Sequence, residues 1–430
     1  MWAFVSSWVQ GRVAAQRRKT IQNQVAANQT GPAQEQTGAR SIAIAMYCVL
    51  LLGYALMAAD RYLFPVLAPD IRRDFGFSLA NTGLLSTIFT LGLGIGGLPT
   101  GYLLARFPRK AVALTGIAIF SAGTALTAVM TGFWSLLFCL AVTGIGMAML
   151  ATVMFALAAS YFSRNRGAAV GSVNFCFGIG TWSGYFLAPI LLTTYGSWRV
   201  PMIAFGGFGF VMIGLILLTV RSWFTETRGA ATAREDRGGA PSLLNRNSIL
   251  LTLLSVVYGL VLYGFLGMYP TYLREGLGYS PETAGFVMSF FGLGALASIA
   301  GGWLGDRVSP RVVLPIAFVC TAVLGYLFFH GSEAVVAKAI MACAYGVIGS
   351  AVLYVNLAAN HVKAVQASLA SRGSGMLVTS LYMSSAVAGY LMGWIANQAG
   401  WVLAGQIQIS LFSLVAAVLA LALRPEEMSS

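Results

Sequence analysis

The chain has 430 residues, of which 58% are hydrophobic and 9% charged, with a mean hydropathy of +0.78 and 50 glycines. That apolar fraction exceeds what a soluble core can use, so soluble enzymes and nucleic-acid-binding domains are excluded despite the net charge of +13. A polytopic membrane protein is expected.

Residues 1–40 read as a cytoplasmic tail. Trp2, Val5, Trp8, Val9 and Val13 fit one apolar face beside Arg12, Arg17 and Arg18, which would suit an interfacial helix. The polar run Gln22–Thr37 favours disorder instead. No basic segment precedes the apolar residues of Met1–Gln10, so no cleavable signal is expected.

A spanning helix needs about 20 mostly apolar residues. Twelve such runs follow in order, at 42–68, 82–104, 111–131, 134–160, 168–193, 201–220, 249–272, 283–304, 312–330, 335–359, 374–396 and 402–423. They are continuous and about twice as long as the alternating segments of a β-barrel, which selects helices. The polar stretch 222–248 divides two groups of six, giving an N-terminal bundle over 41–221, a cytoplasmic linker, a C-terminal bundle over 249–424 and a short tail over 425–430. With the N-terminus inside, twenty Lys and Arg fall in cytoplasmic segments and five (Arg72, Arg73, Arg199, Arg274, Lys338) outside. The basic charge therefore reads as topology, with both termini in the cytoplasm. All five cysteines lie within spans, so structural disulfides are not expected.

The first span carries Asp60 and Arg61 side by side. A charge at bilayer depth costs about 3 kcal/mol or more on insertion scales and marks a functional site. Neighbours on a helix point about 100° apart, so a tight mutual bridge is not the natural geometry. Three readings are open. The pair is a structural lock; or Arg61 binds an anionic substrate as a bidentate fork while Asp60 carries a coupling proton; or Asp60 binds a cation and Arg61 snorkels outward. The second is preferred.

Spans two and eight repeat one another. Gly83, Phe89, Leu91 and Gly92 match Gly285, Phe291, Leu293 and Gly294, and Gly101, Leu103 and Arg106 match Gly302, Leu304 and Arg307, with a one-residue slip between the sets. Two parallel six-helix halves imply a pseudo-two-fold axis along the membrane normal, from which alternating access follows.

On these residues the chain resembles the major facilitator superfamily. GYLLARFPRK (101–110) and GWLGDRVSPR (302–311) are similar to its loop signature, as are YFSRNRGAAVG (161–171), Gly196–Arg199 and YPTYLREGLGYS (269–280). The resemblance implies a conformational lock built on Gly101, Arg106, Arg109, Gly302, Asp306 and Arg307, which holds the outward-open state. The first copy departs from it, with Ala105 for Asp and Pro108 for Gly, so the lock should be weak there. Asp306 suits a helix N-terminus. Span four lacks the Arg of proton-driven drug antiporters, which demotes efflux. Residues 58–78 are similar to the corresponding segment of anion:cation symporters, and secondly of the Spinster group. In the symporters the Arg meets the substrate carboxylate, and an acid takes the proton. Those symporters often add an acid in span four. None is present here, so the proton load falls on Asp60.

The resemblance also implies which spans line the cavity, and polar side chains within them match: Asn174, Trp182, Tyr185, Tyr258, Tyr263, Tyr269, Tyr345, Tyr354, Asn356, Asn360, Ser380, Tyr382 and Ser384. Arg61, Tyr54, Asn174, Tyr263, Tyr354, Asn356 and Tyr382 are the expected substrate-binding set, although each tyrosine has a bland alternative as an interfacial or interhelical group. His361 and His330, at helix ends, read as solvated, and Lys338 as snorkelling to the outer surface. No phosphate-binding loop, metal cluster or nucleophile elbow occurs, so no enzyme, metal or cofactor is expected. The reading is an all-α carrier, a monomer in the bacterial inner membrane, working by alternating access in symport of a small organic anion (carboxylate) with protons. The rivals are a Spinster-like or efflux carrier of amphipathic molecules and a non-transporting receptor.

Overall fold

A computed structural model describes residues 41–161, 166–226 and 239–428. The N-terminal tail, with its interfacial-helix or disorder alternatives, and the middle of the linker lie outside them. Among the described residues ten helices are long and apolar enough to cross a membrane, or eleven when the bent pair Pro281–Ala295 and Ser298–Arg307 is taken as one span. The longest, Ala370–Leu421, is itself two spans. Gly400 separates them with φ 84° and ψ 165°, a backbone conformation essentially confined to glycine. The chain reverses there. Gly393 packs on Leu79 as the chain goes up. Gln406 then meets His330, Ser410 bonds the carbonyl of Ala322, and the backbone N–H of Arg424 reaches Asn247 on the way down. The expected twelve spans are therefore present.

They are α1 (Ser41–Phe75), α2 (Leu79–Thr87 with Phe89–Arg106), α3 (Arg109–Thr127), α4 (Phe133–Tyr161), α5 (Arg166–Tyr195), α6 (Arg199–Thr219), α7 (Arg246–Thr271), α8 (Pro281–Ala295 with Ser298–Arg307), α9 (Pro310–His330), α10 (Val335–Lys363), α11 (370–399) and α12 (401–421).

The sequence repeat is a packing repeat. A Cβ added at Gly92 would strike the carbonyl of Ala141 on α4, and one at Gly144 the carbonyl of Phe89. In the second half Gly294 meets the carbonyl of Cys343 on α10, and Gly346 that of Phe291. The matched pair Gly83 and Gly285 joins the halves in the same way, α2 against Gly389 of α11 and α8 against Tyr185 of α5. Small residues at these positions let backbones touch, which is how helices associate where lipid supplies no hydrophobic driving force. This gives two pseudo-symmetric six-helix bundles.

The two ends of the bundle differ. At one, here the gate end, the turns after α1 and α7 meet. Asp70 holds the Arg274 guanidinium through both carboxylate oxygens, and Arg72 pairs with Glu275 at 2.7 Å. Asp74 accepts from the Trp198 indole (2.7 Å) and from Arg199 (3.0 Å), fixing the start of α6. At the other, the signature end, the loop-signature residues bond within their own halves. Arg106 stacks on Tyr102 and Arg307 on Trp303, each 4.2 Å from the ring centre. Arg109 donates to Ser160 (2.6 Å), and Asp306 lies 3.7 Å from Lys363 of its own half. Space is open around Gly101, and Gly302 touches only Val355. A carboxylate reaches the N-terminus of α3 from the linker, where Glu226 accepts from the backbone N–H groups of Arg109 and Lys110.

Two expectations are corrected. Lys338 does not snorkel: it is fully buried, and its ammonium donates to the carbonyl of Phe328 near the C-terminus of α9, where a cation meets the negative end of the helix dipole. His361 is not solvated. It is 1% exposed, with Nδ1 on the carbonyl of Leu357 and Nε2 unpartnered. Only His330 behaves as expected, exposed and stacked on Tyr326.

Candidate functional site

The site is organised by a break in α1. Pro65 has no N–H to offer the carbonyl of Arg61, four residues back, and Pro69 repeats the omission at Pro65. The helix loosens into a turn at Arg61 and Tyr62, where Tyr62 N–H bonds Ala59 rather than Ala58. The adjacent charges leave this turn on different sides, and no ion pair joins them.

Arg61 lies at the deep end of a central cavity of about 220 Å³. Its lining includes Tyr54 and Tyr62 of α1, Asn174 and Phe177 of α5, Tyr258 and Tyr263 of α7, Tyr354 of α10 and Tyr382 of α11. Leu93 and Gly97 of α2, Phe155 of α4, Ser298 of α8 and Val378 of α11 line it nearer the signature end. Arg61 is 6% exposed, and its guanidinium sits over the rings of Phe177 (5.3 Å), Phe89 (5.5 Å) and Tyr382 (5.8 Å). Nη1 donates to the Tyr263 hydroxyl at 3.4 Å, while Nε has no partner. No carboxylate lies within ion-pair distance of it among the described residues. Aromatic faces attract a cation and hold its plane, but they do not answer the in-plane Nε–H, which has no partner. The guanidinium thus presents hydrogen-bond donors at the head of the cavity with no carboxylate fixed beside them.

Asp60 is 7% exposed and points away from that cavity, into a small pocket inside the first bundle. Its Oδ2 accepts from Thr124 of α3 at 2.7 Å, and its Oδ1 has no partner.

The structure gathers six of the seven expected substrate residues, Arg61, Tyr54, Asn174, Tyr263, Tyr354 and Tyr382, around one cavity. It does not bring Asn356 there. That amide donates to the carbonyls of Gly301 and Val352, and its oxygen fills the space beside Gly305, so it joins α10 to α8. Tyr185 and Tyr345 likewise serve interhelical bonds, to the carbonyls of Leu266 and Val261. Sequence reasoning missed Tyr62, Phe89, Phe155 and Phe177. The tyrosine adjoins the charge pair, which was a usable signal, whereas the phenylalanines cannot be told from lipid-facing residues by pattern.

Two helical bundles around one cavity, with a charged group buried at its head, define a membrane transport protein. The chain matches the Major Facilitator Superfamily over residues 50–389 and 251–430 and belongs to that family. It is 29% identical over 340 residues to the gallate transporter of Pseudomonas putida, covering 70% of this chain and 75% of that one. It is 28% identical over 309 residues to the uncharacterised MFS-type transporter YcaD of Escherichia coli, covering 70% and 76%. Among solved structures it resembles a bacterial homologue of the human lysosomal transporter Spinster in its inward-facing, occupied conformation, with a TM-score of 0.71 and 17% identity over 87% of this chain and 95% of that one. A mutant form of the nucleoside transporter NupG gives a TM-score of 0.70 at 12% identity over 89% and 99%. At these identities the structures show the fold alone. The protein is an integral membrane transporter of a small molecule.

Proposed function

We propose that the protein imports a small carboxylate carrying an aromatic ring, together with a proton, by alternating access. The observation that supports this most is Arg61, a buried guanidinium without a carboxylate partner, ringed by aromatic faces. A carboxylate would meet the fork through two parallel hydrogen bonds, while the ring of the same molecule would pack among Tyr54, Tyr62, Tyr263, Tyr354 and Tyr382. Size agrees. A cavity of about 150 Å³ holds benzene, so about 220 Å³ has room for one substituted ring. The named substrate of the Pseudomonas relative, gallate, is of this class.

Asp60 carries the proton on this reading, because α4 offers no acid over its length. The Lys and Arg bias assigns the signature end to the cytoplasm, with both termini there and the chain in a bacterial inner membrane as a monomer. The present state is then inward-facing: sealed outside by the Asp70–Arg274 and Arg72–Glu275 pairs, with the cavity in the cytoplasmic half.

Uptake into proteoliposomes under an imposed pH gradient tests the reading, using hydroxybenzoates against aliphatic carboxylates of similar size and organic cations. Accumulation of the aromatic acids is expected. Arg61→Lys should weaken their binding at least tenfold, since a point charge does not reproduce the fork. Asp60→Asn should abolish pH-driven accumulation while sparing counterflow. Equal affinity in Arg61→Lys, or preference for a cation, would sink the anion site.

A further inference from the structure

Asp60 shares its pocket with three threonines. Thr124 and Thr127 of α3 and Thr143 of α4 line it with Leu63, Phe64, Phe89, Leu140, Met147 and Met202, and the threonines are all at least nine-tenths buried. These residues lie on the gate side of the α1 turn: Thr127 is the last residue of α3, and Met202 is in the first turn of α6. The substrate cavity lies on the opposite side, toward the signature end. The pocket volume is about 20 Å³, above the ~10–15 Å³ that one water occupies by the same kind of measure. The polar groups point to a polar occupant. Thr124 donates to Asp60 Oδ2, Thr127 to the carbonyl of Thr124 and Thr143 to the carbonyl of Cys139. Each hydroxyl oxygen keeps acceptor capacity, and Asp60 Oδ1 is buried without a partner. An orphaned carboxylate oxygen in a dry pocket would be costly, and one bridging water removes that cost.

We propose that this pocket is a proton compartment separate from the substrate cavity, in which a water bound between Asp60 Oδ1 and the threonine hydroxyls delivers the coupling proton, and Thr124 positions the carboxylate to receive it. The inference rests on Asp60 being the coupling group. The step is a transfer from hydronium to the carboxylate, giving the neutral acid and water, with no other bond changed. The groups facing Asp60 are few. Arg61 lines the same pocket; α2 presents Phe89, α3 its threonines, α4 Leu140, Thr143 and Met147, and α6 Met202. Cys139, one turn from Thr143, points its thiol at the carbonyl of Gly123. On α5, Gly180 and Gly184 abut the carbonyls of Ala55 and Ala59 and bring no side chain. Among the described residues Arg61 is thus the one charge in reach, and it also borders the substrate cavity, which ties the two compartments together.

Removing the Thr124 hydroxyl deprives the charged carboxylate of a donor, so the proton should be held more tightly. In proteoliposomes, Thr124→Val should therefore move the alkaline limb of the uptake profile upward by about one pH unit, with the counterflow KM within about twofold of wild type. Thr124→Ser should restore the wild-type profile. A merely structural role would lower rate or yield without moving the limb. An unmoved limb in Thr124→Val, or a serine variant that behaves as the valine does, overturns the proposal. If Thr124→Val loses counterflow, Thr143→Val takes its place, with an upward shift expected and an unmoved limb again overturning. Asp60→Asn separates the two readings: retention of pH-driven accumulation there defeats the coupling role itself, whereas its loss beside an unmoved limb in the threonine variants defeats only the compartment.

Discussion

The gate end and the signature end of this molecule hold the same kinds of residue in opposite conditions. At the gate end, charges bond across the halves: Asp70 grips Arg274, two partly buried groups at 17% and 8% side-chain exposure, and the backbones of α2 and α11 touch at Gly83 and Gly389. At the signature end, Arg106, Arg307 and Asp306 bond within their own halves, and Asp306 is 76% exposed. The difference teaches that the seal is set by where ion pairs are desolvated rather than by how many charges an end carries. A buried pair is strongly destabilised by loss of one partner, while an exposed pair is worth about 0–1 kcal/mol.

This contrast can be broken in steps, each read as labelling of an Asn174→Cys cavity probe from either side in a background without the native cysteines. Arg274→Ala leaves Asp70 unanswered in a partly buried place, and should cost the sealed state about 3 kcal/mol, with labelling from the gate side becoming dominant. The charge-reversed pair Asp70→Arg with Arg274→Asp should return most of the seal; no recovery would argue that packing, and not charge, closes this end. Gly389→Ala pushes a methyl onto the Gly83 carbonyl, an overpacking of about 1–3 kcal/mol, and should raise gate-side labelling roughly tenfold. Ala105→Asp restores the missing carboxylate of the first signature copy and should raise gate-side labelling several-fold, on the order of 1 kcal/mol. Arg72→Gln removes a pair at about 30% exposure, so a change of no more than about twofold is expected, vanishing at high salt.

Much of the site was readable in the chain because charges are scarce in it. Asp60 and Arg61 stood out against an apolar run, and Tyr54, Tyr263, Tyr354 and Tyr382 followed as polar groups at depth. Asn356 looked the same by pattern and went elsewhere, since an amide is equally able to serve a backbone carbonyl. Lys338 and His361 misled for a related reason. Their places near helix ends suggested water, yet the nearest unsatisfied groups were the carbonyls of Phe328 and Leu357.

Sequence by itself determined the twelve spans, the repeat shared by α2 and α8, and the placing of both charges inside the first span. These follow from hydropathy, small-residue spacing and the cost of burying charge, all of which are local. Only the tertiary structure decided that Asp60 faces the threonine pocket alone while Arg61 borders both that pocket and the central cavity. That division depends on the turn released by Pro65 and on which helices supply the walls, threonines on one side and aromatic rings on the other, and no local pattern in α1 contains it.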